Sequence, residues 1–292
     1  MDPGGRPVTA RLSIVIPAHD EGAVIDRVLG ALCDSGRRDE FEIIVAANGC
    51  TDDTAARARA YDGVQVVETP QASKIAALQA GDDAASVFPR AYVDADVRID
   101  PDALLALADA LDAPGIEVAS PRLHVDTSGA SWLVRQHYRI WELSDYRQSD
   151  HIGSGVYALT RAGRARFDAW PDVIADDRFV QQLFAPAERA MLADHTFSVR
   201  SAADMRAHLR RSVRIARGNR ELPDRVQHQD AARPSAASRG GLARRVAARP
   251  GLWVPFAVYC VSWTLPNVLA RRDIARARTR TWNRDDTSRV MA

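Results

Sequence analysis

The sequence predicts an α/β fold: a Rossmann-like, mostly parallel sheet with helices on both faces, followed by a helical C-terminal extension that associates with a membrane. Three observations carry this expectation. Short apolar runs alternate with stretches of helical periodicity over the first hundred residues. Those runs are apolar at successive positions, as strands covered on both faces require. A 20-residue uncharged run, 251–270, lies between arginine clusters near the C-terminus.

Residues 12–17 (LSIVIP) read as a first strand ended by proline. Residues 21–32 place Ala23, Val24, Val28, Ala31 and Leu32 at helical spacing. Residues 42–46 form a second strand, and Thr51 caps a helix reaching Ala60, with Asp52 and Asp53 in its positively polarised first turn. A third strand over 64–68, a helix over 73–88 and a fourth strand over 91–93 follow; Pro101 then opens a helix to Leu111. Beyond residue 115 the alternation weakens. Helices are expected over 131–146, from 176 to 184 and, strongly basic, over 203–217; a loop leads into a strand over 153–160, and another strand spans 195–199. Ligands of such sheets bind at the carboxyl ends of the strands, so the segments ending at Pro17, Asn48 and Asp94 should converge on one crevice.

Of the 292 residues, 46% are hydrophobic and 26% charged, which excludes wholesale disorder, collagen-like repeats and a polytopic membrane protein. The net charge of +1 hides a split: residues 1–200 hold 20 basic and 31 acidic side chains (−11), residues 201–292 hold 19 and 7 (+12). The first part suits cations and polar small molecules, the last phosphates, nucleic acid or an anionic membrane face. All basic residues but Lys74 are arginine. Cys33, Cys50 and Cys260 are widely spaced and in no metal-ligand pattern, which points to a reducing compartment. Residues 1–9 have no apolar stretch of signal-peptide type, and the expectation is a cytoplasmic protein.

Four constellations carry chemistry. Asp94 and Asp96, two apart on extended chain, can point to the same side at the end of a buried strand. Close carboxylates repel, and a divalent cation relieves that; oxygen ligands suit Mg²⁺ or Mn²⁺ with a substrate diphosphate completing the shell. A solvated turn before Pro101 is the competing reading. Residues 48–54 (NGCTDDT) form a glycine turn feeding a helix N-terminus, a geometry that receives anions and ribose hydroxyls, or simply a well-capped helix. Lys74 can lie over a phosphate as a point charge or be an exposed surface lysine. Asp176 and Asp177 project about 100° apart on a helix, so one can face the cleft as a general base while the other caps, or both cap.

Together, 13–21 (SIVIPAHDE), 48–54, 74–81 (KIAALQAG), Asp94-Ala-Asp96 and Asp176-Asp177 resemble, in order and spacing, the motifs of family 2 glycosyltransferases. The resemblance implies a GT-A fold over roughly residues 10–220. It implies that Pro17, Ala18 and Glu21 line the nucleotide pocket, with Asn48 and Asp52 beside base and ribose, Lys74 near the diphosphate or ribose, Asp94 on the nucleoside and Asp96 on the metal. Asp177 matches the family's general base, with Asp176 beside it; Gly153, Ser154 and Gly155 form an acceptor-side loop. Arg214 and Arg217, with Arg210 and Arg211, resemble the basic stretch that closes over the diphosphate, although the usual Gln-x-x-Arg-Trp is not present; a solvated basic helix face is the competing reading. The implied reaction is metal-assisted single displacement, with inversion, from a nucleotide-diphosphate sugar to an acceptor hydroxyl. Asp20 replaces the usual Asn, and Asn48 replaces a common Asp, which leaves the donor nucleotide open. Nucleotidyl transfer and a non-catalytic nucleotide-sugar-binding or scaffold role are the alternatives.

The expected organisation is a disordered stretch at 1–10, a catalytic domain at 11–220 (nucleotide-sugar half 11–115, acceptor half 116–220), a polar linker at 221–241 and a basic, apolar helical extension at 242–292. Pro255 and Pro266 interrupt the apolar run, and arginines flank it on both sides. An interfacial or re-entrant helix pair on anionic lipid fits these features, with an apolar helix packed on the catalytic domain as the competing reading. Nucleic acid is not an expected partner: no reader motif is present.

Overall fold

A computed structural model describes residues 10–148, 151–221 and 236–276. Strands β1 (Leu12–Ala18), β2 (Phe41–Asn48), β3 (Val64–Thr69) and β4 (Arg90–Val93) pair in parallel, with β1 central to the four. Helices α1 (Ile25–Cys33), α2 (Thr54–Arg59) and α3 (Lys74–Ala84) connect them. After β4 come β5 (Arg98–Ile99), α4 (Pro101–Leu111), β6 (Val118–Asp126), α5 (Trp132–Trp141), α6 (Asp145–Gln148), β7 (Val156–Leu159), α7 (Arg161–Arg164), α8 (Asp176–Gln182) and β8 (Arg189–Arg200). All strands join one sheet in the order β3-β2-β1-β4-β7-β6-β8-β5. The sheet is mixed: β7 runs antiparallel to both β4 and β6, β6 and β8 are parallel, and β5 is antiparallel to β8.

Successive β1 side chains serve opposite faces. Ile14 and Ile16 pack with Ile25, Val28 and Leu29 of α1 and with Leu104 of α4. Val15, between them, packs with Leu78 of α3, Tyr92, Tyr157 and Val180 of α8. This two-sided burial is why the strands read as continuous apolar runs. Asp100 caps α4 through its side chain with Pro101 at the first turn, as expected, and Ser73 caps α3.

Several elements differ from the sequence expectation. Helix α2 begins at Thr54 rather than after Thr51, because the Asp52 carboxylate bonds the Thr54 amide and hydroxyl and forms a turn instead of entering the helix. Helix α1 begins at Ile25, after a turn over 22–24. Strand β6 contains Pro121, which masked its strand character. The 131–146 helix breaks into α5 and α6. The expected linker at 221–241 is helical at both described ends: α9 (Met205–Glu221) reaches 221 and α10 (Ala236–Ala247) covers 236–241, while 222–235 and the expected disordered 1–9 lie outside the described residues.

The apolar run is one helix, α11 (Trp253–Ala275), not a pair. Pro255 falls in its first turn, where no N–H bond is lost. Next to the interior Pro266, the Asn267 side-chain amide donates to the Trp263 carbonyl at 2.7 Å. Pro255, Ser262, Pro266 and Ala270 are the buried stripe. Ser262 gives its hydroxyl to the Val258 carbonyl at 2.7 Å and meets His137 Nδ1 of α5 at 2.6 Å. The neighbouring stripe of Val254, Val261, Leu265 and Val268 is exposed, as are Trp253 and Trp263.

Candidate active site

At the carboxyl ends of β1 and β2 two turns are stitched together. Pro17 and Ala18 end β1, and Asn48 ends β2. The buried Asn48 side-chain amide donates to the Ala18 carbonyl at 2.8 Å, leaving its buried Oδ1 without a hydrogen-bond partner. The Glu21 amide donates to Thr54 Oγ1 at 2.7 Å, and its carbonyl accepts from Ile25 at the start of α1. Asp52 accepts the Gly22 amide at 3.0 Å. Burial pushes the Asp52 carboxyl up, but the bonds from Thr54 and Gly22 outweigh it and hold it below its ordinary value. Asp20 adopts φ +46° and accepts the Thr51 amide at 2.6 Å. Cys50, in no ligand pattern by sequence spacing, lies with His19 and Asp20 so that one potential ligand atom from each falls within 4.8 Å of the others. Only the folding of two separate turns creates that cluster.

Lys74 opens α3 and reaches across the crevice. Its Nζ lies 2.7 Å from Asp94 Oδ1 at the end of β4 and 3.0 Å from Asp176 Oδ1 at the start of α8. It is therefore not a surface lysine: its side chain is 23% exposed, and that of Asp176 only 5%. Burial works against the ammonium, yet Asp176 and Asp94 outweigh it and hold Lys74 protonated above its usual range. Burial likewise pushes the Asp94 carboxyl up to about 6, opposed by Lys74 and assisted by the charges of Asp176 and Asp96.

The loop before β7 joins these groups to Asp177. Gly153 and Gly155 have φ +108° and +114°. A Cβ on Gly153 would stand 2.6 Å from Asp177 Cβ, and one on Gly155 would stand 3.3 Å from Asp94 Oδ2. The loop thus passes close to both carboxylates, which leaves no room for a side chain at Gly153 or Gly155. The Asp94 amide donates to the Gly155 carbonyl at 2.8 Å, and the Ser154 amide to Asp177 Oδ2 at 2.9 Å. Asp177 Oδ1 accepts the Arg178 amide at 2.7 Å. The adjacent aspartates do diverge: Asp176 points into the buried lysine, Asp177 towards the glycine loop, and Ala175 rather than either is the N-cap of α8.

The sequence reading missed the residues that hold Asp176. Tyr157 donates to Asp176 Oδ2 at 3.2 Å and stacks on Tyr92 at 5.1 Å. Tyr92 donates at 2.7 Å to the buried Asp82, which also binds Arg90, Arg164 and, at 2.6 Å, the Trp170 indole. No motif signals this hub, because its members are scattered from 82 to 170. Arg214 and Arg217 lie on α9, where a Cβ on the neighbouring Gly218 would stand 2.8 Å from Ile174, two residues before Asp176.

The donor set fits a hard divalent cation. Asp94 and Asp96 are half-buried carboxylates flanking a buried alanine, and the charge of Asp96 disfavours ionisation of Asp94. Both candidate ligands are carboxylate oxygens, which suits Mg²⁺ or Mn²⁺ rather than a thiophilic metal.

A mixed sheet with acidic groups gathered at its strand ends, next to a lysine and a glycine loop, defines an α/β transferase of GT-A type. The sequence matches the model of Glycosyl transferase family 2 over residues 13–169, more than half of its length, and the chain belongs to that family. Among solved structures it resembles the mannosyltransferase PcManGT from Pyrobaculum calidifontis in complex with GDP-Man and Mn²⁺, with 16% identity, 94% of this chain and 92% of that one covered, and a TM-score of 0.63. It also resembles glucosyl-3-phosphoglycerate synthase from Mycobacterium tuberculosis in complex with phosphoglyceric acid, at 22% identity, covering 67% and 71% of the two chains with a TM-score of 0.48. No curated protein matches the chain.

Proposed function

We propose that this glycosyltransferase moves a sugar from a nucleotide-diphosphate sugar to an acceptor hydroxyl in one in-line displacement, with inversion at the anomeric carbon. The observation that carries the reading is the single cluster of Asp94, Lys74, Asp176 and, across the Gly153–Gly155 loop, Asp177. Asp94 and Asp96 would hold the divalent metal, which when bound neutralises charge on the departing diphosphate. Lys74 orients Asp94 and adds positive charge beside it. Pro17, Ala18, Glu21, Asn48 and Asp52 form the nucleoside end, and Arg214 and Arg217 are the proposed basic lid. Asp177, held by two backbone amides, accepts the acceptor's hydroxyl proton; a carboxylate so placed contributes about 10²–10⁴-fold. Inversion follows because the nucleophile enters opposite the leaving diphosphate.

Asp177→Asn tests this assignment. Loss of transfer with nucleotide-sugar binding retained supports it; unchanged transfer overturns the base, and retained binding without any transfer in the wild type favours the non-catalytic alternative.

We further infer that α11 rests on the inner face of a membrane. It is long and apolar enough to cross one, and only 17% of its apolar window is buried. Arg244 and Arg249 precede it, and Arg271, Arg272 and Arg276 lie at its end, each adding about 1 kcal/mol on anionic lipid. Chain ending at Gly241 should lose flotation with anionic vesicles; retained flotation refutes the role.

A further inference from the structure

We propose that an arginine-lined cleft beside the glycine loop binds a phosphate group carried by the acceptor. The word acceptor rests on the glycosyltransferase reading; binding of the phosphate does not.

The cleft has a volume of about 740 Å³ and is lined by Arg122 and His124 of β6, Arg135 and Arg139 of α5, and Arg147. Its one acidic lining residue, Glu142, accepts from Arg147 Nε at 3.2 Å. Arg135 donates to the Ala130 carbonyl and Arg139 to the Gln136 side-chain oxygen at 2.8 Å. Among the described residues, neither these two nor Arg122 has a carboxylate partner. Several arginines elsewhere are matched with acids, Arg57 with Asp26 and Asp53, Arg90 and Arg164 with Asp82, and Arg166 with Glu188, whereas the three in the cleft share one concavity. Three unmatched guanidinium groups in one concavity repel one another, and a dianion relieves that repulsion. The planar fork of arginine matches phosphate oxygens in pairs.

The strand register places the cleft on the acceptor side. Val118 and Ala119 of β6 oppose Leu159 and Ala158 of β7, the strand that directly follows Gly155. Ser120, two residues earlier, accepts the Gly153 amide at 3.4 Å and donates to the Val156 carbonyl at 2.7 Å. A register shift at Pro121/Arg122 sets Arg122 opposite Thr196 of β8, and Thr196 also lines the cleft; such irregularities re-aim side chains next to sites. His151, whose ring lies 3.2 Å from the Ser154 hydroxyl, feels both Arg147 and Asp177. Strand β6, which lines the cleft, and the proposed base therefore both bond the same short loop. Helix α5 also carries the apolar contacts of α11, so the phosphate could belong to a soluble ester or to a lipid headgroup.

The test uses the full chain and its Arg122→Gln/Arg139→Gln double variant; both side chains are exposed, and neither belongs to the proposed catalytic machinery. Calorimetry measures binding of phenyl phosphate and of n-decyl phosphate, and thermal shift measures nucleotide-sugar binding in the same samples. Wild type should bind a phosphate probe, the variant should bind it at least about tenfold more weakly, and the donor shift should be equal in both. Decyl phosphate bound in preference to phenyl phosphate indicates a lipid-linked acceptor; equal binding indicates a soluble one. Absence of binding to both probes in the wild type, or equal binding in the variant, overturns the cleft while leaving donor binding and the glycosyltransferase reading intact. A missing donor shift with phosphate binding retained would instead sink that reading alone.

Discussion

Lys74→Met removes the cation shared by two carboxylates without opening a large cavity. Asp176 is buried, and its Oδ1 lies 3.0 Å from the lysine, so stripping the partner leaves an uncompensated charge that costs about 3–5 kcal/mol. The Asp94 side chain is 34% exposed, and its share is screened to well under 1 kcal/mol. In the wild type the raised Lys74 pKa means this stabilisation is complete at neutral pH and is lost only as pH rises through the folded value. In the variant the sign reverses. One carboxyl then takes a proton more readily when folded than when unfolded, where its pKa is about 3.9. The deficit should therefore shrink as pH falls, by up to about 1.4 kcal/mol per unit below the raised folded pKa. Urea denaturation followed by circular dichroism at pH 8 and pH 5 measures both quantities. A loss of less than 1 kcal/mol at pH 8, or a loss identical at the two pH values, would refute the buried-pair account.

Three further outcomes follow from the geometry. Gly155→Ala puts a methyl 3.3 Å from Asp94 Oδ2 at a φ of +114°, so it should weaken Mn²⁺-dependent donor binding at least about tenfold; unchanged Mn²⁺ titration of donor binding would count against the crowding. Asp82→Asn leaves Arg90 and Arg164 without a buried counter-charge and should cost about 3–5 kcal/mol in urea denaturation; a loss under 1 kcal/mol contradicts the hub. His137, held down to about 3 by burial and by His208, must stay neutral to remain packed against α11. Its folded pKa lies below the unfolded value of about 6.5, so stability should fall below pH 6.5 by up to about 1.4 kcal/mol per unit. His137→Asn should flatten that slope, and an identical slope in the variant dismisses the histidine as its origin.

Much of the first 115 residues was legible because the signals there are local. Apolar runs of five or six residues, a proline at the first turn of α4 and an Asp-x-Asp at a strand end each act within a few residues. The beginning of α2 was misplaced because the choice of Asp52 between helix and turn is settled by Thr54 and Gly22, the latter thirty residues away. The stretch from 116 to 220 was harder. Strand β6 carries an internal proline, β5 is two residues long, and β7 gains its place only by pairing with β4 and β6. Lys74 stood out as the single lysine, but its partners Asp94 and Asp176 come from elements twenty and a hundred residues on. Tyr157 and Asp82 had no signal at all, since ordinary residues became a supporting network only once the strands were in register.

The central claim is that a nucleotide-diphosphate sugar binds at the crevice through a divalent ion on Asp94 and Asp96. A thermal-shift screen of nucleotide-sugars with and without Mn²⁺ tests it most directly. At a hundred times its dissociation constant a true donor contributes about 2.7 kcal/mol, or a rise of about 5–10 °C. The account predicts such a rise for at least one nucleotide-sugar, dependent on Mn²⁺ and abolished in Asp94→Asn/Asp96→Asn. No shift with any nucleotide-sugar, or a shift that survives in the double variant, would contradict it.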